Sequence, residues 1–223
     1  MDMAREIVIS GDSHVVEPYD LWVNALGKKY GDHVPHLVTE HAGRKGNYFF
    51  AGRETCLVEE LVNATDQARI DKLVRAGHDP AFRLKLIDAD GVAAEIVNPT
   101  WTLYAMRIEH AELRRACCRV FNDWLIEYCS EDRRRLIGVG AVPIDDPDWG
   151  VLELERIASK GLRGVMVPTQ PPEGVPPYRE ARYDRFWAAA MSLGLPVTLH
   201  IVTGRVRDPF TYHGEEERGE VPA

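Results

Sequence analysis

Short apolar runs alternate along the chain with longer segments in which apolar residues recur at helical spacing. The runs predict five β-strands, at residues 6–10, 92–97, 136–142, 164–167 and 195–201. The longer segments predict four helices, one from Asp79 to the stop signal Asp90-Gly91 and three at residues 109–131, 147–159 and 180–193. Strands that are apolar throughout are typical of a parallel sheet covered by helices, because both faces of such a sheet are buried.

Residues 15–78 interrupt this alternation. The segment contains Pro18, Pro35 and several glycines, and we expect it to be an irregular insertion with a possible hairpin at GNYFFAGRE. We interpret residues 1–223 as one domain built around the single parallel sheet.

Two α/β folds fit the strand and helix order, an open doubly wound sheet and a (β/α)₈ TIM-type barrel. The first predicted strand is followed by DSHVVEP, which offers polar side chains and lacks the glycine-rich loop of dinucleotide-binding proteins. A nucleotide-binding open sheet is therefore the weaker alternative. In both folds the reactive groups lie at the C-terminal ends of the strands.

Composition excludes several classes of function. The 223 residues carry a net charge of −8 and show no basic stripe, which argues against a nucleic-acid partner. No apolar run reaches membrane-spanning length and the N-terminus does not resemble a signal peptide, so we expect a cytoplasmic protein with no membrane partner. The four cysteines form no C-x-x-C pair and are expected to be reduced thiols.

Polar side chains that could bind a metal follow the first and fifth predicted strands. Asp12 and His14 are separated by one residue, so in an extended chain both point to the same side while Ser13 faces away. His200, at the end of the fifth strand, could supply a third ligand from across the barrel mouth. A carboxylate and two imidazoles suit one divalent ion, Zn²⁺ or Mn²⁺.

Each of these residues also has an ordinary structural explanation. Asp12 or Ser13 could cap a helix that has Pro18 in its first turn, and His200 could be a hydrogen-bonded core histidine. The coincidence of all three at strand ends favours the metal site.

Three further residues near the strand ends are candidates for contact with a small-molecule substrate. Asn98 and Trp101 follow the second strand, and Arg205 follows the fifth. Trp101 could stack on a planar substrate and Arg205 could pair with an anionic one. The alternative for Trp101 is a packed anchor of its loop, since aromatic residues serve both purposes.

Five segments together give the chain a specific resemblance to the amidohydrolase superfamily. The chain is similar to the amidohydrolase-related branch, which includes aminocarboxymuconate-semialdehyde decarboxylase and the resorcylate-type decarboxylases. The matching segments, which cover nearly the whole chain, are DSHVVEPYDLW, LKLIDADGVAAEIVNPT, RLIGVGAVPIDDP, GLRGVMVP and LGLPVTLHIVTG.

The resemblance implies a (β/α)₈ barrel of which about the first five β/α units are present. It implies that Asp12, His14 and His200 are metal ligands, and the fourth strand, GVMVP, lacks the lysine of two-metal relatives, so one ion is expected. The closing aspartate of the eighth strand and the acid/base histidine of the sixth have no counterpart in these 223 residues.

The implied function is that of a metal-dependent hydrolase or a non-oxidative decarboxylase (carboxy-lyase) acting on a small carboxylated or aromatic substrate. The alternative is a catalytically incomplete fragment or pseudoenzyme of the same family. A homo-oligomer is also expected from the family and from unpaired strand edges.

Overall fold

The computed structural model describes residues 7–52, 54–58 and 67–204. Its strands are β1 (Val8–His14), β2 (His36–His41), β3 (Arg44–Ala51), β4 (Glu54–Leu57), β5 (Val92–Asn98), β6 (Leu136–Ala141), β7 (Gly164–Val167) and β8 (Val197–Leu199). Its helices are α1 (Leu21–Tyr30), α2 (Gln67–His78), α3 (Pro80–Ala89), α4 (Thr102–Ala105), α5 (Ala111–Cys129), α6 (Pro147–Ser159) and α7 (Asp184–Ser192). Single 3₁₀ turns lie at Gly31–His33 and Ala181–Tyr183.

The main sheet has the strand order β1-β5-β6-β7-β8, and every neighbouring pair is parallel. Each strand of this sheet therefore lies beside the one that precedes it. A doubly wound sheet reverses its strand order at a switch point, whereas a barrel wall adds strands in one direction. The structure confirms the partial barrel of five strands, and the doubly wound alternative is wrong.

Aspartate–proline pairs start two of the helices that cover this sheet. The Asp79 carboxylate accepts a hydrogen bond from the backbone N–H of Phe82, and the Asp146 carboxylate accepts one from the N–H of Trp149. Both helices begin with proline, which has no N–H to leave unpaired in the first turn. Among the described residues, no helix is long and apolar enough to cross a bilayer.

The expectation of an irregular insertion at residues 15–78 is wrong for the described part of that segment. It holds α1, α2 and an antiparallel sheet of β2, β3 and β4. The predicted hairpin at GNYFFAGRE corresponds to the β3–β4 pair. Phe49 of β3 and Trp22 of α1 are buried against each other, with ring centroids 5.8 Å apart. The small sheet therefore packs on the domain core through aromatic side chains.

Two predicted strands have different bounds in the structure. The first strand runs to His14, well beyond the predicted end at residue 10, because residues 13 and 14 pair with Val97 and Asn98 of β5. The fifth strand is shorter than predicted, since β8 ends at Leu199 and residues 201–204 form turns. The apolar pattern thus underestimated a strand with a polar end and overestimated one whose apolar run continues into a turn.

Close contact between β6 and its covering helices depends on two glycines of that strand. A Cβ at Gly138 would lie 2.9 Å from Cys129 Sγ of α5, and a Cβ at Gly140 would lie 2.8 Å from Ile157 Cδ1 of α6. These side chains of the helices can pack against β6 only because residues 138 and 140 are glycines and have no side chain of their own. The core of the domain lies here, between the sheet and α5 and α6.

The two edge strands of the main sheet carry exposed apolar side chains. Ile7 and Ile9, next to and within β1, are 77% and 56% exposed, and Leu199 of β8 is 62% exposed. Within the described ranges neither strand has a second neighbour in the sheet. The wall of the barrel is therefore open at β1 and at β8.

The four cysteines are free thiols, as predicted, and three of them are buried. Burial raises the pKa of the Cys129 thiol to about 12, and it also raises the pKa values of Cys117 and Cys118. We expect Ellman's reagent at pH 8 to label only Cys56 rapidly in the native chain, because the buried thiolates are disfavoured and shielded. All four should react in guanidinium chloride. Rapid labelling of two or more thiols in the native chain would contradict this packing.

Candidate metal centre

Three side chains converge at the C-terminal end of the sheet, as the sequence predicted. The Nε2 atoms of His14 and His200 are 3.2 Å apart. Asp12 Oδ1 lies 3.5 Å from Nε2 of His14 and 3.6 Å from Nε2 of His200. Asp12 and His14 come from β1, and His200 comes from the residue after β8, so the curved sheet brings its two edge strands to one point.

The other ring nitrogen of each histidine is bound by the backbone. His14 Nδ1–H donates to the Pro99 carbonyl at 2.6 Å, and His200 Nδ1–H donates to the Ile201 carbonyl at 2.9 Å. A carbonyl oxygen can only accept, so both Nδ1 atoms must carry the proton. Nε2 is then the ring nitrogen of each histidine that can offer a lone pair, and it faces the other histidine and Asp12.

This donor set fits a divalent cation. Ligand atoms about 2.1 Å from a tetrahedral ion lie roughly 3.4 Å from each other, close to the three observed separations. Two imidazole lone pairs and a carboxylate oxygen repel one another unless a positive charge lies between them. Histidine ligands whose second nitrogen donates to a backbone carbonyl are also the usual arrangement around protein-bound metals.

Asn98 holds the carboxylate of the centre in place. Its side-chain amide donates to Asp12 Oδ1 at 3.1 Å, and the residue is 5% exposed at the end of β5. Asp12 itself is largely exposed, and the centre is open to solvent on that side. The structure therefore places the predicted residue Asn98 beside the centre, where its observed contact is with a predicted ligand.

Neither of the other two predicted substrate contacts, Trp101 and Arg205, is tested by the contacts of the described residues. Trp101 is 1% exposed, and its ring packs on Phe49 with centroids 4.7 Å apart and on Tyr19 at 5.7 Å. This packing supports the alternative of a loop anchor. Arg205 lies outside the described residues. Substrate contact by either residue stays a prediction.

Glu17 is a buried carboxylate that the sequence interpretation left without a role. Its side chain is fully buried and accepts hydrogen bonds from the backbone N–H groups of Thr100, Trp101 and Thr102 at 2.8–3.1 Å and from the Thr102 hydroxyl at 2.6 Å. It thereby joins the loop after β1 to the loop after β5. The sequence offered one indication of this role, the position of Glu17 shortly after the polar end of a strand. A carboxylate buried there needs hydrogen-bond donors around it.

A constrained turn places His200. Val202 has a φ of 76°, a conformation that β-branched residues rarely adopt. The Thr203 hydroxyl donates to the His200 carbonyl at 2.6 Å and accepts from the backbone N–H of Thr169 at 3.1 Å. A Cβ on Gly204 would collide with the Thr169 hydroxyl, so glycine permits the close approach of the two loops. The turn is thus fixed to the loop after β7.

Within the described ranges, Asp12, His14 and His200 form the one group of at least three His, Cys, Asp or Glu residues with ligand atoms close enough to share an ion. One ligand atom from each of the three residues lies within 4.8 Å of the other two. The centre therefore stands out by geometry as well as by sequence.

Comparisons with known proteins agree with the fold. A gamma-resorcylate decarboxylase from Rhizobium sp. (strain MTP-10005) is 31% identical over 140 residues, which are 59% of this chain and 42% of that protein. An amidohydrolase structure from Mycobacterium avium subsp. paratuberculosis superposes with a TM-score of 0.70 at 20% identity, over 89% of this chain and 58% of the other. A dihydroxybenzoic acid decarboxylase from Polaromonas sp. JS666, with bound manganese and 2-nitroresorcinol, gives a TM-score of 0.58 at 20% identity, over 87% and 49%.

The chain thus spans less than half of the curated relative and about half of the manganese-bound structure. The Amidohydrolase family model matches residues 22–220, which is most of the chain. The match includes β5 to β8 and their helices, together with His200, and begins after the Asp12–His14 pair. This chain belongs to the amidohydrolase family.

Proposed function

We propose that Asp12, His14 and His200 hold one divalent cation, Zn²⁺ or Mn²⁺, and that the chain acts in the non-oxidative decarboxylation of a small hydroxylated aromatic acid. The observation that carries this proposal is the convergence of two Nε2 lone pairs and a carboxylate oxygen within 3.2–3.6 Å. The similarity to gamma-resorcylate decarboxylases supports the choice of reaction and substrate class.

The described residues prepare the centre for such a ligand. Backbone carbonyls fix the tautomer of both histidines, and Asn98 orients Asp12. The exposed side of Asp12 leaves room for a substrate to approach. A bound divalent cation would supply positive charge that attracts the carboxylate and neighbouring hydroxyl of the substrate and stabilises negative charge as it develops.

The proposed reaction has a simple balance. The bond between the ring carbon and the carboxylate carbon breaks, and carbon dioxide leaves. The electron pair stays on the ring, where the carbon takes up one proton. No oxidant or reductant is consumed, so a divalent ion without redox chemistry is sufficient.

Hydrolysis is the second candidate, favoured by the family to which the chain belongs. The same three ligands would serve a hydrolase, in which water adds to an ester, amide or lactone carbonyl and the leaving group departs with a proton. The alternative of a catalytically incomplete chain predicts metal binding without turnover. Activity measurements distinguish these three outcomes.

We expect the purified chain to bind about one Mn²⁺ or Zn²⁺ ion. The His14→Ala variant should bind the ion more than ~100-fold more weakly, because losing a metal ligand costs more affinity than losing a residue that only contacts a ligand. Isothermal titration and metal analysis measure both quantities. The matched control is His36→Ala, since His36 Nδ1 also donates to a backbone carbonyl, that of Val34 at 2.8 Å, on a different sheet.

Metal-loaded protein is then incubated with gamma-resorcylate and the carbon dioxide released is measured. Turnover that depends on His14 and not on His36 supports the carboxy-lyase. Metal binding without any turnover supports the incomplete chain. Equal, near-zero metal occupancy of wild type and His14→Ala would overturn the metal centre itself.

A further inference from the structure

The strand that carries Asp12 and His14 is irregular at that point. Ser10 pairs with Glu95 of β5, and the next pair in the register is Ser13 with Val97. Three steps along β1 therefore match two steps along β5, which is the signature of a β-bulge containing Gly11 and Asp12. Bulges bend a strand and re-aim its side chains, and they are frequent beside active sites.

The bulge brings two serine side chains to the same side of β1. In a regular strand, residues three apart point to opposite faces, yet the hydroxyl oxygens of Ser10 and Ser13 are 2.7 Å apart. Ser13 donates its proton to Glu95 Oε1 at 3.0 Å, so Ser10 must donate to Ser13. The Ser13 side chain is therefore occupied by contacts with Ser10 and Glu95.

An ion pair continues this chain of contacts into helix α3. Arg83 Nε donates to Glu95 Oε2 at 2.6 Å, and both side chains are about one-tenth exposed. The same guanidinium donates through Nη1 to the backbone carbonyl of His14 at 2.7 Å. Arg83 therefore binds Glu95 with one nitrogen and the backbone of a proposed ligand with another.

We propose that Ser13, Glu95 and Arg83 are positioning residues that hold the bulge in the shape that directs Asp12 and His14 to the metal. We call these three residues the bulge clamp. The proposal rests on the metal centre proposed above and adds to it a set of residues that touch neither metal nor substrate.

The geometry explains why the bulge clamp acts on affinity. The extra residue of a bulge leaves the regular ladder, so strand pairing alone does not fix the direction of Asp12. The clamp fixes the strand at two points, the Ser13 side chain between the two ligands and the backbone carbonyl of His14. Without it, the metal would have to order the bulge upon binding, and that cost would appear as weaker affinity.

Two substitutions test the bulge clamp in the full chain. Ser13→Ala removes the hydroxyl that joins the bulge to Glu95. Arg83→Lys keeps the charge and loses the planar fork that reaches Glu95 and the His14 carbonyl together. We expect each to raise the Kd for Mn²⁺ by about 10- to 100-fold, the usual range for partners outside the ligand set. The Kd is measured at a temperature at which thermal melts show that every variant is folded.

Matched variants separate positioning from general stability. Arg156→Lys alters a comparable ion pair, in which Arg156 donates to the buried carboxylate of Glu153 at 2.6–2.8 Å on α6, away from β1. It should change the Kd by less than about twofold while lowering thermal stability. Ser13→Thr restores a hydroxyl and should restore the affinity that Ser13→Ala loses.

The outcomes are distinct from those that test the metal centre. Wild type without metal affinity would overturn the proposed function. Wild type that binds Mn²⁺ while Ser13→Ala and Arg83→Lys bind it equally well would overturn the bulge clamp alone. If Arg156→Lys loses as much Mn²⁺ affinity as Arg83→Lys, the bulge clamp is also overturned. The loss of affinity would then result from lower stability of the whole chain.

Discussion

Glu17→Gln is expected to lower the free energy of unfolding by about 2–4 kcal/mol. The wild-type carboxylate accepts from three backbone N–H groups and from the Thr102 hydroxyl in a site with no exposed surface. Glutamine has the same size, but one of the two accepting oxygens becomes an NH₂ group, which can only donate. That NH₂ group would then point at other hydrogen-bond donors. A buried group left without its partner costs roughly 1–3 kcal/mol, and more when the bond was to a charged group.

Chemical denaturation of wild type and Glu17→Gln measures this difference. The control is Glu155→Gln, which makes the same change on the exposed surface of α6 and should alter stability by less than about 0.5 kcal/mol. Equal midpoints for the two variants would show that the Glu17 contacts do not stabilise the junction of the loops after β1 and β5.

Gly77→Ala is expected to destabilise the chain by about 1–3 kcal/mol through overpacking. A Cβ at this position of α2 would lie 2.6 Å from the backbone nitrogen of Val16 and 2.7 Å from its Cβ. Backbone atoms cannot rotate away as a flexible side chain can. The segment that must move follows His14 directly, so Mn²⁺ affinity should fall together with stability.

Gly27→Ala is the matched control, because Gly27 is also inside a helix, α1, and its Cβ would meet only Val23 Cγ1 at 3.8 Å. Alanine there should stabilise the chain by up to about 1 kcal/mol, as expected for the interior of a helix. Urea denaturation and metal titration are compared for the two variants. A Gly77→Ala protein as stable as Gly27→Ala would contradict the close packing of α2 on Val16.

The sequence predicted most of the main sheet because its strands stand out as apolar runs, and the inner strands β6 and β7 are buried almost throughout. The residues 164–167 and 147–159 form the predicted strand and helix with the predicted bounds. Asp12, His14 and His200 were predicted to lie close together because the C-terminal ends of the strands meet at one rim in this fold class. The structure places the three side chains together at that rim.

The remaining features depend on contacts that no local pattern encodes. The β2–β3–β4 sheet is held by Phe49 and Trp22, which meet only after the chain has folded back. The bulge in β1 follows from pairing with Glu95 and Val97, more than 80 residues away in the sequence. Burial of Trp101 likewise depends on Phe49 and Tyr19 rather than on its own neighbours in the sequence.

The two histidines whose Nε2 atoms nearly touch are 186 positions apart in the sequence. Closing a loop of that length carries an entropic cost that rises only with the logarithm of its length. Folding of the sheet already brings the two strands together, so this cost does not have to be overcome again when the centre forms. An ion bound there would act as a non-covalent cross-link between the first and last strands of the open wall. Its binding energy would then resist separation of those two strands, in addition to any part it has in chemistry.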